Sequence, residues 1–543
     1  MNVQGRPTPP DAPDIAAPKT ISGHRGLDHE EPLIFEIGRA HVTGVDLAEI
    51  ILPQDRLGGL ARKQPIGLAG LSEPQVMRHY VRLSQRNASI DASFYPLGSC
   101  TMKHNPRLNE KLARLAGFAD IHPMQPQKTV QGAFALIAEL AHWLKELTGM
   151  PAVAMTPKAG AQGELCGILA IRAAIRARAE NRTRILVPES AHGTNPATAA
   201  LCGFAVESIK ATADGRVDLE GLKQALGPDV AGLMLTNPNT CGLFERDMIA
   251  IGDAVHAAGA YFYCDGANFN AIVGRVKPGD LGIDAMHINL HKTFSTPHGG
   301  GGPGAGPVVF SERLARYAPL PLYVADQNGF RLIEDMEEAR AAGAEPLGRM
   351  CAFHGQMGMF VRALAYMLSH GGDGLRRAAE DAVLSANYIL ASLKDVMSAP
   401  YAGPCMHEAL FDDEFLKDSG ITTLDVAKRL IDEGFHPMTV YFPLVVHGAM
   451  LIEPTETESK ATLDQFIAVM RALAGEAKAG KVASFKQAPQ RAPRRRLDET
   501  LAARRPVLRW KPPAAKTAEQ KNGPPVKEGQ LGDFQDQEGG TKA

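Results

Sequence analysis

Short apolar runs alternate with amphipathic helical patterns between residues 126 and 385, and this alternation constrains the fold more than any other feature of the chain. Short apolar runs bounded by turn residues are typical of strands buried on both faces, as in a parallel sheet covered by helices. Strands are predicted at 184–187, 232–235, 260–264 and 285–290, with an intervening helix at 247–258. This segment is therefore expected to be an α/β domain.

Changes in composition along the chain predict five parts. They are a flexible arm at 1–30, helices and structured loops at 31–125, a large domain at 126–385, a smaller C-terminal domain at 386–485 and an extension at 486–543. The smaller domain includes a strand-like segment at 439–451. The extension is rich in proline and charge, so we expect disorder beyond about residue 511.

The overall composition excludes several classes of partner. The formal net charge is -2, which gives no field that would recruit nucleic acid or an anionic membrane. No apolar run reaches the roughly 18 to 20 residues that cross a bilayer, and the first residues lack a secretory signal pattern. The seven cysteines are scattered without a CxxC pair, which predicts reduced thiols in the cytoplasm and no zinc site.

The strongest local signal is the segment NLHKTFSTPHGGGGPG at 289–304. The predicted strand 285–290 delivers His291 and Lys292 to its end, and the glycines 299–302 follow closely. Ligands of open α/β sheets bind beyond such strand ends, and glycines let the backbone approach a ligand. Lys292 therefore suits a lysine that links covalently to a carbonyl cofactor. An exposed lysine beside a flexible loop would produce the same pattern.

A carboxylate follows the preceding predicted strand. Asp265 comes directly after 260–264, and the small residue Ala267 leaves room for a flat ring. An aspartate in this position can pair with the protonated pyridine nitrogen of pyridoxal phosphate and so favour electron withdrawal. Taken alone, Asp265 would equally suit a residue that caps the next turn.

Three further turns could complete such a site. In PKAGAQGE, the amides of Gly160, Ala161 and Gln162 are expected to start a helix and to bind a phosphate. In PESAHGTNPAT, His192 could lie on the cofactor ring and Thr194 or Asn195 could add polar contacts. In TNPNTCGLFE, Asn237 or Asn239 could hydrogen-bond the phenolic oxygen of the ring. Each of these turns also occurs without a ligand.

The five motifs together match one cofactor, and they also match one family. AGAQGE, SAHGTNPA, TNPNT with GLFE, DGAN, and HKTF with PHGGGGPG resemble the P-protein of the glycine cleavage system. The resemblance continues through SFYPLGSCTMKHNP, HPMQPQKTVQG and IEPTETESK, so it covers roughly residues 30 to 510. The length and the intact lysine resemble the second subunit of the split, two-subunit form.

This resemblance implies an aspartate aminotransferase-like, fold-type I pyridoxal-phosphate enzyme with a mainly parallel seven-stranded sheet and a smaller α+β domain. It implies glycine decarboxylation, with Lys292, His192 and Asp265 as catalytic residues. The aminomethyl group would pass to the lipoyl group of an H-protein. It also implies a homologous first subunit, with two copies of each subunit in a heterotetramer.

Two alternatives stay open at this point. The chain could be another pyridoxal-phosphate enzyme, such as a decarboxylase of a larger amino acid or a cysteine desulfurase. It could also be a scaffold that completes the active site of a partner, although Lys292 argues against that. The motifs contain no arginine for the carboxylate of glycine, so residues 93–104 and His298 are the candidates.

Overall fold

The computed structural model describes residues 31–39, 42–45, 47–48, 57–64, 66–299, 304–492 and 495–509. The predicted arm at 1–30, the tail beyond about 511 and four residues of the glycine-rich run, 300–303, lie outside these ranges. The described residues form two units, one containing Gln85–Arg495 and the other combining parts of Glu30–Ser84 and Arg496–Ala543.

The larger unit contains a seven-stranded sheet among its described residues. Its strands are β1 (Ala152–Ala154), β2 (Arg184–Pro188), β3 (Ala205–Ile209), β4 (Val230–Thr236), β5 (Tyr261–Gly266), β6 (Ala285–Ile288) and β7 (Val308–Phe310). The strand order is β1-β7-β6-β5-β4-β2-β3, and only β7 runs antiparallel to its neighbours. The expected mainly parallel sheet of a fold-type I enzyme is confirmed.

Two smaller sheets belong to the same unit. A two-stranded sheet contains β8 (Leu322–Asp326) and β9 (Gly329–Ile333). An antiparallel three-stranded sheet contains β10 (Ala409–Phe411), β11 (Thr439–Val440) and β12 (Met450–Ile452) in the order β10-β12-β11. The three-stranded sheet supplies the strands of the expected α+β part.

Helices connect and cover these sheets. In the larger unit they are α3 (Arg107–Ala113), α4 (Ala116–Ala119), α5 (Gln131–Thr148), α6 (Gly160–Ala177), α7 (Thr194–Leu201), α8 (Leu219–Ala225), α9 (Met248–Ala257), α10 (Leu290–Thr293), α11 (Glu312–Ala315), α12 (Met336–Ala341), α13 (Met357–Leu393), α14 (Thr423–Asp432), α15 (Lys460–Lys478) and α16 (Val482–Lys486). Short 3-10 turns lie at Gln127–Thr129, Phe269–Ala271, Pro278–Leu281 and Glu414–Leu416.

The seven-stranded sheet is buried on both faces. In β5, Phe262 and Cys264 pack into one apolar core, and Tyr261 and Tyr263 pack into the core on the opposite face. Burial of each large side chain contributes roughly 1.5–3 kcal/mol. This two-sided burial explains why the strands are continuous apolar runs in the sequence.

The predicted strands and helix agree with the structure except at two places. The predicted strand 285–290 ends at Ile288, because Asn289 caps the short helix α10 that carries Lys292. The segment 439–451 is not one strand, since a loop containing Pro443 separates β11 from β12. Pro443 has no N–H to donate to a strand ladder.

Helix α13, whose backbone departs from helical geometry at Gly371, joins two apolar cores of the larger unit. Its residues up to Ala379 pack with the core of the seven-stranded sheet. From Ala386 onward its buried residues pack instead with Phe411, Phe466 and the rest of the core beside the three-stranded sheet. The expected domain boundary at 385/386 therefore falls within this helix.

The smaller unit contains α1 (Ile34–Ile37), α2 (Glu73–Ser84) and α17 (Glu499–Arg504) among its described residues. Buried Glu31 accepts hydrogen bonds from Arg82 of α2 at 2.5 and 2.6 Å. Within the described part of the chain, no helix combines the length and apolar character required to cross a membrane.

Candidate active site

The candidate site lies at the carboxyl edge of the parallel strands. The register pairs Asp265 of β5 with Thr236 of β4 on one side and with His287 of β6 on the other. Asn237 follows β4 directly, and Asn289 follows β6. Because these strands are parallel, their carboxyl ends meet at one edge of the sheet. Asp265, Asn237 and Asn289 therefore lie at the same edge although they are far apart in sequence, and ligands of such sheets bind there.

Asp265 is an ionised carboxylate held by donors. Its Oδ1 accepts from the backbone N–H of Ala267 at 2.9 Å, and its Oδ2 accepts from Nδ2 of Asn195 at 3.2 Å. Burial raises the pKa of Asp265, but the imidazole of His287, these donors and the charge of Lys292 together lower it below the ordinary value. Asp265 therefore carries a negative charge at neutral pH.

Two buried polar side chains, His287 and Tyr263, form a chain of contacts that leads to Asp265. Nε2 of His287 lies 3.4 Å from Oδ1 of Asp265, and Nδ1 of His287 lies 2.6 Å from the hydroxyl of Tyr263. Burial raises the pKa of Tyr263 well above its usual range, so Tyr263 stays a phenol that can donate. This arrangement assigns the proton of neutral His287 to Nε2, facing the carboxylate.

Glu164 of α6 is a second buried carboxyl group near this chain. Burial and the neighbouring charge of Asp265 raise the pKa of Glu164 to about 7. Its Oε1 is buried without a hydrogen-bond partner in the described structure. The two carboxyl groups therefore differ in protonation: Asp265 is ionised because hydrogen-bond donors surround it, whereas Glu164 tends to keep its proton.

Lys292 lies in the same crevice as Asp265. It projects from α10, one turn beyond β6, and its Nζ donates to the backbone carbonyl of Ser99 at 2.8 Å. The ammonium charge of Lys292 is close enough to lower the pKa of Asp265 and to affect His291 and His298. The lysine and the aspartate that the sequence singled out are thus brought together.

His291 and His298 flank the lysine. Their ring centroids are 5.1 Å apart at an interplanar angle of 85°. Burial, with the charges of His298 and Lys292, lowers the pKa of His291 to about 3, and burial with the Lys292 charge also lowers the pKa of His298. Both rings are therefore neutral at pH 7, and Nδ1 of His291 is buried without a partner in the described residues.

The predicted phosphate site is the first turn of α6. The helix begins at Gly160, and its N-cap residue, Ala159, supplies no side-chain hydrogen bond, so the amides of Gly160, Ala161 and Gln162 face outward without an intrahelical acceptor. A Cβ atom at Gly160 would lie 2.5 Å from Oδ1 of Asn289, an oxygen that is itself buried and unpartnered among the described residues. Only glycine therefore preserves this space.

Two other predicted contacts also face the crevice region. His192 is exposed, its Nδ1 accepts from the N–H of Thr194 at 3.1 Å, and its ring lies 5.6 Å from that of Phe442. Ala267 is partly exposed directly after β5. With a free amine, a carboxylate, an uncapped helix start and unpartnered polar atoms, the residues present fit a phosphorylated pyridine aldehyde.

The prediction for Asn239 is corrected by the structure. Its Nδ2 donates to the carbonyl of Gly215 and to Glu245, and its Oδ1 accepts from the backbone N–H groups of Cys241 and Leu243. These four bonds fold the turn and leave no polar atom for a cofactor. The alternative considered from the sequence, Asn237, keeps a buried Nδ2 without a partner in the described structure.

Sequence reasoning missed several groups that shape this site. Tyr263, Glu164 and His287 are hidden within regular elements, where nothing in a local pattern separates them from other buried residues. Residues 93–104, a candidate segment for the site, do lie beside Lys292, but the sequence did not indicate that the contact is made by the backbone carbonyl of Ser99. A polar residue inside an otherwise apolar strand, such as His287, was the available signal.

Comparisons with known proteins identify similar families and a similar fold. A family model described as "Glycine dehydrogenase, C-terminal domain" matches residues 378–494, and one described as "Aminotransferase class-V" matches residues 163–309. A glycine decarboxylase (P-protein) crystal structure in inhibitor-bound form has a TM-score of 0.64 at 23% identity, covering 78% of this chain and 93% of that one. This structural likeness shows the fold.

Relatives of higher identity cover nearly the whole chain. A probable glycine dehydrogenase (decarboxylating) subunit 2 from Caulobacter vibrioides is 68% identical over 95% of this chain and 99% of its own length. A protein of the same description from Oceanobacillus iheyensis is 48% identical over 89% of this chain and 99% of its own length. The family predicted from the motifs is confirmed: the chain belongs to the glycine dehydrogenase (decarboxylating) subunit 2 family.

Proposed function

We propose that this chain decarboxylates glycine with pyridoxal 5'-phosphate and passes the remaining aminomethyl group to the lipoyl group of an H-protein. The observation that carries the proposal is the convergence of Lys292 and the ionised Asp265 in one crevice of a chain from this family. When bound, the cofactor supplies the electron sink for the charge left behind by the departing CO2. The protein supplies binding, orientation and proton control.

Lys292 would hold the cofactor aldehyde. When it is not linked to the cofactor, the amine of Lys292 would donate to the Ser99 carbonyl, as it does here at 2.8 Å. A positioned amine of this kind can move a proton to or from the substrate nitrogen without waiting for solvent. His291 and His298, which are neutral at pH 7, add no competing positive charge beside it.

Asp265 would hold a proton on the ring nitrogen. A buried carboxylate that remains ionised forms a strong, charge-assisted hydrogen bond with a protonated ring nitrogen. Tyr263 and His287 fix the orientation of Asp265 through the buried chain described above. The electrostatic arrangement is therefore in place before any substrate binds.

The remaining contacts would set the position and tilt of the ring. The amides of Gly160, Ala161 and Gln162, at the positive end of the 18-residue helix α6, suit the phosphate. His192 would stack on the ring, Thr194 would add a polar contact and Ala267 would leave space on the other side. Asn237, in place of Asn239, would donate to the phenolic oxygen.

For decarboxylation the protein would have to hold the carboxylate of glycine in one orientation, so a residue that contacts this carboxylate is required. His298 is our candidate for the carboxylate contact, because its ring lies 5.1 Å from that of His291 and is close enough to Lys292 that burial and the Lys292 charge together lower its pKa. Residues 93–104 remain the second candidate, through the loop that contacts Lys292.

Two features disfavour the rival cofactor reactions. Burial raises the pKa of Cys100, near Lys292, to about 11, whereas a desulfurase requires a reactive thiolate. Lys103 reaches the carbonyl of Thr293 beside Lys292, but it is paired with Glu456 at 2.7 Å. It is therefore not available for the second carboxylate of an acidic amino acid.

The proposed partners are the first subunit of the same enzyme, with two copies of each subunit in the complex, and a lipoylated H-protein. Several large apolar side chains of the smaller unit, among them Leu47, Leu60 and Leu68, are more than three-quarters exposed, at 82%, 88% and 78%. Apolar surface of this kind is typical of a protein–protein interface. The seven free cysteines support a reducing cytoplasm as the location.

The test is carboxyl exchange between glycine and labelled CO2, measured with the partner subunit and an H-protein present. The wild-type chain should exchange, and Lys292→Ala should abolish both exchange and the borohydride-trapped lysine adduct. Lys223→Ala, which removes an exposed lysine from α8, is the matched control and should retain both. A trapped adduct that persists on another lysine in Lys292→Ala would reject the assignment.

A further inference from the structure

A buried acidic cluster lies beneath the loop that contacts Lys292. Glu453 follows β12 directly, and His407 and Glu408 precede β10, so the three-stranded sheet brings them together. All three residues are at most 1% exposed, and potential ligand atoms of the three lie within 4.8 Å of one another. The mechanism above assigns no role to any of them.

Glu453 and Glu408 hold the backbone of the loop 98–101. Oε2 of Glu453 accepts from the N–H groups of Cys100 at 3.1 Å and Thr101 at 2.9 Å, and Oε1 accepts from the Thr101 hydroxyl at 2.6 Å. Glu408 accepts a short hydrogen bond from the N–H of Ser99. Consecutive amides of this loop are therefore bound by two side chains from more than 300 residues away in sequence.

The loop has a conformation that it would not adopt by itself. Ser99 and Thr101 have φ values of 66° and 51°, in the left-handed region that is unusual for residues other than glycine and most unusual for a β-branched one. Such strain persists where surrounding structure enforces it, and it is concentrated at functional sites. The enforcing groups include the two carboxyl groups, which bind the amides of residues 99–101, and Thr439, whose hydroxyl donates to the Gly98 carbonyl at 2.7 Å. Together they set the position of the Ser99 carbonyl.

We propose that Glu453 is a positioning residue for Lys292, acting through the loop 98–101, with Glu408 as its second support. The loop presents the Ser99 carbonyl to the lysine amine at 2.8 Å, which defines where the amine rests when the cofactor does not hold it. Only the functional consequence, an efficient return of Lys292 to the cofactor after each turnover, rests on the proposed function.

The three residues of the cluster differ in how many of their polar atoms already have hydrogen-bond partners. The Glu453 oxygens already accept from three loop donors, whereas the buried Oε2 of Glu408 and both ring nitrogens of His407 have no hydrogen-bond partner in the described structure. Burial and the charge of Glu453 raise the pKa of Glu408 well above its usual range. Other titratable groups near the pair are Cys100, Lys292 and His298.

The experiment uses the cofactor-free protein, so that its result does not depend on the proposed reaction. Acetic anhydride labels lysine amines, and mass spectrometry gives the labelling rate of Lys292 relative to exposed Lys223. In Glu453→Gln, Lys292 should be labelled roughly threefold faster or more, the change expected when one hydrogen bond no longer holds the amine. Thr101→Ala, which removes only the hydroxyl bond, should change the rate in the same direction but less.

Asp432→Asn is the matched control. Asp432 is also a buried carboxylate that holds a backbone segment, accepting from the N–H groups of Gln490 and Arg491 at 2.7 to 2.9 Å. Its substitution should leave Lys292 labelling unchanged. In the reconstituted enzyme, Glu453→Gln should lower kcat for carboxyl exchange while the KM for glycine stays close to wild type.

Three outcomes would overturn the proposal. They are an unchanged labelling rate in both Glu453→Gln and Thr101→Ala, an equal increase in Asp432→Asn, and one bound metal ion per purified chain. If Glu453→Gln does not fold, Thr101→Ala decides alone. Failure of the wild-type chain to exchange glycine carboxyl would count against the proposed function and leave the labelling result intact.

Discussion

Replacement of Asp265 by asparagine tests the electrostatic core of the site. The substitution keeps the shape of the side chain and removes its negative charge. Asp265 is 6% exposed and already accepts hydrogen bonds from Ala267 and Asn195. Solvent therefore has little access to compensate for the loss of its negative charge. Breaking a buried charge pair costs about 3–5 kcal/mol, which corresponds to a loss of roughly 10²–10⁴-fold in kcat/KM for glycine carboxyl exchange.

The assay is exchange of glycine carboxyl with labelled CO2 at saturating cofactor, with the borohydride-trapped adduct at Lys292 measured in parallel. The adduct should still form in Asp265→Asn, because Lys292 itself is unchanged. Asp284→Asn is the control, since Asp284 is equally buried in the same sheet but precedes β6 at the opposite edge, where it accepts from Phe262, Ser311 and Arg313. Exchange within a few-fold of wild type in Asp265→Asn would refute the reasoning.

Three further predictions follow from the same geometry. The pKa of Glu164 is raised to about 7, so the folded chain keeps a proton that the unfolded chain releases, and stability falls as the pH rises from about 4.5 to 7. Thermal unfolding should therefore show Glu164→Gln to be more stable than wild type at pH 8, by about 3 kcal/mol, with little difference at pH 4. An equal gain at both pH values would contradict this sign. Gly160→Ala places a Cβ 2.5 Å from Asn289 and should weaken cofactor binding at least about tenfold in a fluorescence titration, whereas Gly117→Ala, with open space around it, should not. Asn237→Ala should shift the absorption maximum of the bound cofactor without unfolding the chain, and an unchanged spectrum would remove Asn237 from the site.

The sequence predicted those parts of the molecule that local patterns determine. Strands buried on both faces are continuous apolar runs, and a strand followed by a glycine or a polar turn places its ligand groups at one edge, so Asp265, Lys292 and the start of α6 could be located. The predicted end of β6 was wrong because apolar Leu290 extends the apolar run past Asn289, whereas the backbone turns into α10 at Asn289.

The remaining parts of the site depend on contacts between distant residues, which no local pattern records. The bond from Lys292 to Ser99 joins residues 193 positions apart, and the bonds from the loop to Glu453 span more than 350. For Asn239, residue type alone could not distinguish an amide that folds its own turn from one that is free to bind. The choice between Asn237 and Asn239 required knowledge of which polar atoms were already satisfied.

Helix α13 has a consequence for how this chain can be divided. Its 37 residues begin in one apolar core and end in another, and the match to the C-terminal family model starts at residue 378, inside the helix. A cut at that point would separate Ala379 from the core of the seven-stranded sheet, with which it packs, and would leave Ala379 and Ala382 exposed at the new end of the C-terminal fragment. Fusions, reporter insertions and split versions of the protein should therefore place their junctions outside 357–393.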